Sequence, residues 1–205
     1  MPKRAKAVLL RRHPRQRRAR ATVESVLDAV VRILKREGSD GLTTNRIAEV
    51  AGVSIGSVYQ YFVNKGAIFK ALHERHIAEI DRVVQSTLVE YASSPLEELM
   101  RAMIEALVDA HRTDPELYEL LFAEVPHRAD GSREFAVRLH GAFLLAISSR
   151  ARELKKGRDL DSVVFVVTHM AEALSHGVVL RRPATLSLEE AKEEAVRAIL
   201  AYLRS

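Results

Sequence analysis

The chain has 205 residues, enough for one or two domains of ordinary size, and its 47% hydrophobic content can supply a core. It contains no cysteine, which excludes disulfide scaffolds, thiolate metal centres and cysteine nucleophiles and fits a reducing compartment. Formal net charge is +5, yet residues 1–20 hold nine cations (Lys3, Arg4, Lys6, Arg11, Arg12, Arg15, Arg17, Arg18 and Arg20) and no acid, so the remainder carries −4.

A basic segment on a mildly acidic body reads either as an arm for a polyanion or as a solvated tail. No uncharged apolar run approaches the ~20 residues that cross a bilayer. No apolar h-region follows the basic start, so a cytoplasmic protein without membrane contact is expected.

Helix signals fill the chain after the arm. From Thr22, the positions Val23, Val26, Leu27, Val30, Ile33 and Leu34 recur at helical spacing, and Gly38 is a stop signal. Thr43-Thr44-Asn45 caps a short helix through Ala51, which Gly52 ends; Ser54 caps another, ending near Phe62. Asn64 opens a long helix to about Ala92. Ser94-Pro95-Leu96-Glu97 reads as a capping box feeding Leu99, Met103, Leu107 and His111. Asp114-Pro115-Glu116 starts a helix that stops before Pro126, and Asp130–Ser132 leads into one that closes at Gly157. Asp161 opens an apolar helix to about Leu180, and Ser187-Leu188-Glu189-Glu190 is a second capping box for a last helix to about Arg204. No segment alternates as a strand. The expected fold is all-α, with about nine helices.

The informative stretch runs from Gly41 to Lys65: a short helix, a tight turn at Gly52 and a second short helix. Ile47, Ala48, Ala51, Val53 and Val58 can form the small core that sets such a pair at a steep angle. The outward face of the second helix is Ser57, Tyr59, Gln60 and Tyr61, with Gly56 allowing close approach. Small hydroxyls and Gln suit base edges, whereas Tyr hydroxyls and Lys65 suit phosphates.

Between about Thr22 and Leu72, Gly-Leu-Thr-Thr, Ala-Gly-Val-Ser and Val-Tyr-Gln-Tyr-Phe followed by Asn-Lys occur at the spacing of the tetracycline-repressor (TetR/AcrR) family of bacterial transcription regulators, which this stretch resembles. The resemblance implies phosphate contacts from Thr43 and Thr44 and further backbone contacts from Tyr59, Tyr61 and Lys65. It places Ile55, Gly56, Ser57 and Gln60 toward the major groove; Ile55 departs from the polar or basic residue often found there. Arg17, Arg18 and Arg20 fall where relatives carry minor-groove arms. The implied division is a basic arm over 1–20, a helix-turn-helix domain over 21–67, and an effector-binding and dimerisation domain over 68–205.

Two rival patterns occur. Gly52-Val-Ser54-Ile-Gly56 spells the nucleophile elbow of α/β-hydrolases, but that elbow needs a preceding strand where this sequence has a helix pattern, so Ser54 reads as an N-cap and no enzyme activity is expected. His73 and His76 are spaced to share a metal, yet no third and fourth ligand is evident, so no metal or cofactor is expected.

In the second half, Met103, Leu107, Leu121, Phe122, Phe143 and Ile147 are expected to line a pocket for a small apolar effector, oriented by His111 or His169; the remaining histidines there, His140 and His176, read as core residues. Val167, Met170 and Leu174, with Ala191, Ala195, Ala198, Ile199 and Tyr202 on the last helix, are expected to bury against their symmetry mates in a homodimer. Burial inside the protomer is the competing reading. The expected function is a ligand-released repressor of a palindromic double-stranded DNA operator in the bacterial cytoplasm, at the nucleoid. The alternative is an architectural, chromosome-organising protein with the same DNA-binding module and no effector.

Overall fold

The computed structural model describes residues 17–124 and 130–205, with side chains at 122, 124 and 130–132 left aside. Residues 1–16 of the arm, and the side chain of Phe122 expected in the pocket, therefore lie outside the described residues. The helices are α1 (Arg17–Glu37), α2 (Thr44–Ala51), α3 (Ile55–Tyr61), α4 (Lys65–Glu90), α5 (Leu96–Arg112), α6 (Pro115–Glu124), α7 (Asp130–Ser148), α8 (Leu160–Leu180) and α9 (Leu188–Arg204). Two short 3₁₀ turns, Ser39–Gly41 and Ala151–Glu153, complete the regular structure, and no strand occurs among the described residues.

Helix α1 begins at Arg17 rather than Thr22, so Arg17, Arg18 and Arg20 lie on its exposed first turns and not in an extended arm. Arg and Ala are strong helix formers and nothing between Arg17 and Thr22 breaks the pattern. Glycine ends the helix as read: Gly38 takes φ 69°, and Gly52 after α2 takes the same value in the left-handed region. Gly41 is required for a different reason, since a Cβ there would sit 2.6 Å from the Cβ of Glu37.

Of the described residues, 17–75 and 116–124 form one compact unit, and 76–115 with 130–205 form a second. The expected boundary at 67/68 lies near the head of α4, and the residues of that helix up to Arg75 group with the first unit and those from His76 with the second. Helix α6 belongs with the first unit, which local sequence signals do not reveal.

In the first unit, α1 buries Val26, Val30 and Ile33 at 0–1% exposure beside Ile47, Val58 and Phe62. Each such side chain stabilises the fold by about 1.5–3 kcal/mol relative to exposure. Arg75 of α4 ties back to α1 through Glu24 and Asp28, at 3.2 and 2.7 Å.

The second unit packs α5, α7, α8 and α9 with the end of α4 around Met103, Ile104, Phe143, Val164 and Ile199. Three expected helix boundaries change there. Pro95, not Ser94, is the N-cap of α5, and the Leu96 N–H donates to Oε2 of Glu153 at 2.8 Å, so a carboxylate from a distant 3₁₀ turn satisfies that donor. Helix α7 ends at Ser148, well short of Gly157. Arg150 just beyond it donates to the carbonyls of Tyr91, Ala92 and Ser94 at 2.7–2.9 Å, which closes the C-terminus of α4. Asp159 rather than Asp161 caps α8, accepting from the Ser162 N–H at 2.9 Å. The Ser187–Glu190 capping box of α9 forms as expected.

Helix α8 is long and apolar enough, by length and composition alone, to cross a membrane. Its Val163, Val164, Val167 and Ala171 are at most 1% exposed and built into the second unit's core, which demands the same composition.

Candidate nucleic-acid interface

The α2–turn–α3 pair is assembled from local caps. Thr43 Oγ1 accepts from the Arg46 N–H at 3.2 Å, and the Gly52 N–H returns to carbonyls of α2. Ser54 Oγ accepts from the Ser57 N–H at 3.0 Å and lies 2.8 Å from the Ser57 hydroxyl. Ser54 is thus an N-cap between two helices, as the sequence suggests, with a helix where a nucleophile elbow would need a strand.

Cross-links fix the pair to α1. Arg46 of α2 forks onto both carboxylate oxygens of Glu37 and reaches Glu49 at 2.9 Å; Arg32 donates to the Val50 carbonyl at 3.2 Å. The hydrogen bond from Arg46 holds the Glu37 carboxyl below the usual carboxylate range. Arg46 is thereby committed to intramolecular pairs.

With Val58 at 0% exposure and Tyr61 at 9%, α3 is anchored by two side chains one turn apart, and Phe62 lies at 1% just after it. Tyr61, expected on the outward face and at phosphate, is therefore a core residue: from Tyr59, two positions turn the chain through about 200°, to the opposite side of the helix. The opposite side presents Ile55, Gly56, Tyr59 and Gln60 to solvent, with Ser57 half-exposed at the edge. Thr43 is exposed and Thr44 half-buried at the start of α2. Lys65, exposed at the start of α4, carries its Nζ 5.3 Å from the centroid of the Phe69 ring. A Cβ at Gly56 would meet only Ser54 Oγ, at 3.8 Å, so the open ledge there is not needed by the fold. The face combines small, hydroxyl-bearing and amide side chains with a cation at one end and no carboxylate.

The residues expected in the effector pocket divide. Met103, Leu107, Phe143 and Ile147 are at most 2% exposed in the second unit's core, while Leu121 is a core residue of the first unit. His169 is exposed on α8, its Nδ1 2.7 Å from the Phe165 carbonyl and its ring against Phe165, on the wrong side of the helix for a pocket in that core. His111 is 4% exposed and has neighbours the sequence does not announce: His76 of α4, with ring centroids 5.4 Å apart, and His176 of α8, at 5.0 Å. Burial first, then His176 and His76, push His111 down to about 2. The described residues contain no group of metal-ligating side chains arranged to hold an ion.

Of the residues expected at a dimer interface, Val167, Ala191, Ala195 and Ile199 are buried inside the protomer, so the competing reading holds for them. Met170, Leu174 and Tyr202 are half-buried and Ala198 is exposed. The faces left open carry Phe165, at 55% exposure, and Ala173 on α8, and Ala198 and Ala201 on α9.

Residues 26–72 match the family described as bacterial regulatory proteins of the tetR family, and residues 95–203 match the tetracyclin repressor-like C-terminal domain. The HTH-type transcriptional repressor SCO4008 of Streptomyces coelicolor is 29% identical over 57% of this chain and 60% of its own length. The nucleoid occlusion factor SlmA of Haemophilus ducreyi is 28% identical over 48% of each chain. The chain thus spans about half to three-fifths of the length of these curated relatives. A crystal structure of a TetR-family transcriptional regulator from Streptomyces coelicolor superposes with a TM-score of 0.61 at 26% identity, over 89% of this chain and 97% of the other. With one family matched at the helix-turn-helix and its C-terminal domain matched over more than half of the chain, the protein belongs to the tetR family of bacterial regulatory proteins.

Proposed function

We propose that this chain is a homodimeric transcriptional repressor that reads a palindromic operator with α3 and is released by a small apolar effector bound in the second unit. The observation that carries the reading is the division of α3: Val58 and Tyr61 lock one side into the core, while Ile55, Gly56, Tyr59 and Gln60 stand exposed on the other. Gln60 is suited to the paired donor and acceptor of an adenine edge, and Thr43, Tyr59 and Lys65 to flanking phosphates. Two such helices on a two-fold axis read half-sites about one DNA turn apart, ~34–36 Å, or a somewhat longer spacing.

The dimer reading moves to the faces of α8 and α9 that the protomer leaves open. Phe165 and Ala173 on α8, with Ala198 and Ala201 on α9, offer small and aromatic apolar surface that a partner would cover. Coupling to an effector is assigned to α4, a long helix whose residues are shared between the two units.

Fluorescence anisotropy on a selected operator tests the DNA reading. Lys65→Ala should weaken binding to every sequence alike and lower the salt slope by about 1. Gln60→Ala should instead change which base is preferred. Equal loss on all sequences from both variants would contradict the assignment. The likeness to SlmA keeps one alternative, an architectural DNA-binding protein: operator affinity indifferent to every small molecule that binds would favour it.

A further inference from the structure

The leading turn of α3 shows an aliphatic side chain to solvent. Ile55 is 38% exposed, on the side of the helix away from buried Val58 and Tyr61. Gly56 beside it has no side chain, and a Cβ added there would meet only Ser54 Oγ, at 3.8 Å. The two hydroxyls of this turn are used within it: Ser54 Oγ accepts from the Ser57 N–H at 3.0 Å and lies 2.8 Å from Ser57 Oγ. From Ser54 to Phe62 there is no charged residue. Polar reading therefore begins one turn later, with exposed Tyr59 and Gln60, and the leading turn itself is apolar.

We propose that Ile55 selects thymine, by packing on its C5-methyl group in the major groove, so that each operator half-site carries a T·A pair at that position. This rests on the reading of α3 as the DNA-recognition helix and names a base that it chooses. Every base pair offers hydrogen-bond donors or acceptors in the major groove, but only thymine offers an apolar group there. Ile55 has no donor or acceptor with which to read a polar edge, and covering such an edge would strip it of water without a replacement hydrogen bond. Against the methyl group, two apolar surfaces leave water together.

The placement suits the contact. Recognition helices of this motif meet base edges with the side chains of their leading turn. Helical side chains also lean toward the N-terminal end, which carries Ile55 forward of the helix body. The bare backbone at Gly56 lets the groove wall come close beside it. Gln60 and Ile55 then divide the reading, one by hydrogen bonds and the other by shape.

The test takes the duplex selected by the wild-type chain and replaces each thymine by uracil, in symmetric pairs, which removes the C5-methyl group and leaves base pairing intact. Anisotropy is read with wild type and Ile55→Ala. One symmetric pair of uracils should weaken wild-type binding by about fourfold per half-site, or about 15-fold together. Ile55→Ala should bind the thymine duplex as weakly as wild type binds that uracil duplex, and should not notice the replacement. Uracil at any other position should affect the two proteins alike. The variant should melt within about 2 °C of wild type, since the side chain it trims is exposed. If it fails to fold, Ile55→Val repeats the comparison and should reduce the cost of uracil. A half-site without a fixed thymine, no uracil-sensitive position in the wild type, or an equal uracil cost in the Ile55 variants would each overturn the thymine assignment. If binding still depends on Gln60 in those cases, the reading of α3 survives without it. If no sequence is selected at all, both fall together.

Discussion

Gly56→Ala separates the fold's needs from those of the proposed interface. Glycine in a helix costs about 0.5–1 kcal/mol relative to alanine. Nothing in this structure asks for it at Gly56: its φ is not in the left-handed region, and an added Cβ would touch only Ser54 Oγ, at 3.8 Å. Alanine should therefore stabilise the protein by about 0.4–1 kcal/mol, mainly by restricting the unfolded chain. For a chain of this size that raises the melting temperature by about 1–4 °C. The same methyl projects from the solvent face of α3, where DNA is proposed to approach. If the groove leaves no room, overpacking costs about 1–3 kcal/mol, which is roughly a 5- to 150-fold loss of operator affinity. Scanning calorimetry and anisotropy on the same preparation give both numbers. A lower melting temperature would refute the packing argument, and unchanged operator affinity would refute the placement of Gly56 against DNA.

The two tyrosines of α3 should behave oppositely. Tyr61→Ala should destabilise by about 3 kcal/mol in chemical denaturation, whereas Tyr59→Ala should stay within about 0.5 kcal/mol while weakening operator binding. Ser187→Ala removes the capping box of α9 and should cost about 1 kcal/mol, visible as a drop of about 2–4 °C in melting temperature. His111 is held neutral in the folded protein down to about 2 but takes a proton near its ordinary value of 6.5 when unfolded. The unfolded state binds more protons between those values, so stability falls as pH drops below about 6.5, by at most about 1.4 kcal/mol per unit, and His111→Gln should flatten the denaturation midpoint against pH in that window. Ala198→Arg should yield folded monomers in sedimentation analysis with weakened operator binding. A stable dimer of that variant would move the interface elsewhere, and Ala195→Arg, at a buried position, should instead damage the fold.

Much of this protein is legible in its sequence because its helices are punctuated locally. Gly38, Gly52, the Thr43 and Ser54 caps and the Ser187–Glu190 box all act within a few residues, and each forms where the pattern places it. Where a remote group decides, local reading fails. The N-terminus of α5 is satisfied by Glu153 rather than Ser94, and Arg150 beyond α7 closes α4. The recognition helix was legible except for Tyr61, which a resemblance puts at phosphate and a helical turn puts in the core. The small-residue stripe of α9 is ambiguous in sequence, since Ala191 and Ala195 permit close approach equally to a partner or to α5 and α8. The histidine cluster was invisible, because residues 76, 111 and 176 share no spacing and meet only through the packing of α4, α5 and α8.

The central claim is that the exposed side of α3 reads DNA sequence. Selection of bound fragments from a random pool of double-stranded DNA, with the wild-type chain and Gln60→Ala in parallel, tests it most directly. The account predicts that the wild type enriches a palindrome and that Gln60→Ala enriches one changed at the same position in both half-sites. Identical enriched sequences for the two proteins, or no enrichment by the wild type, would contradict it.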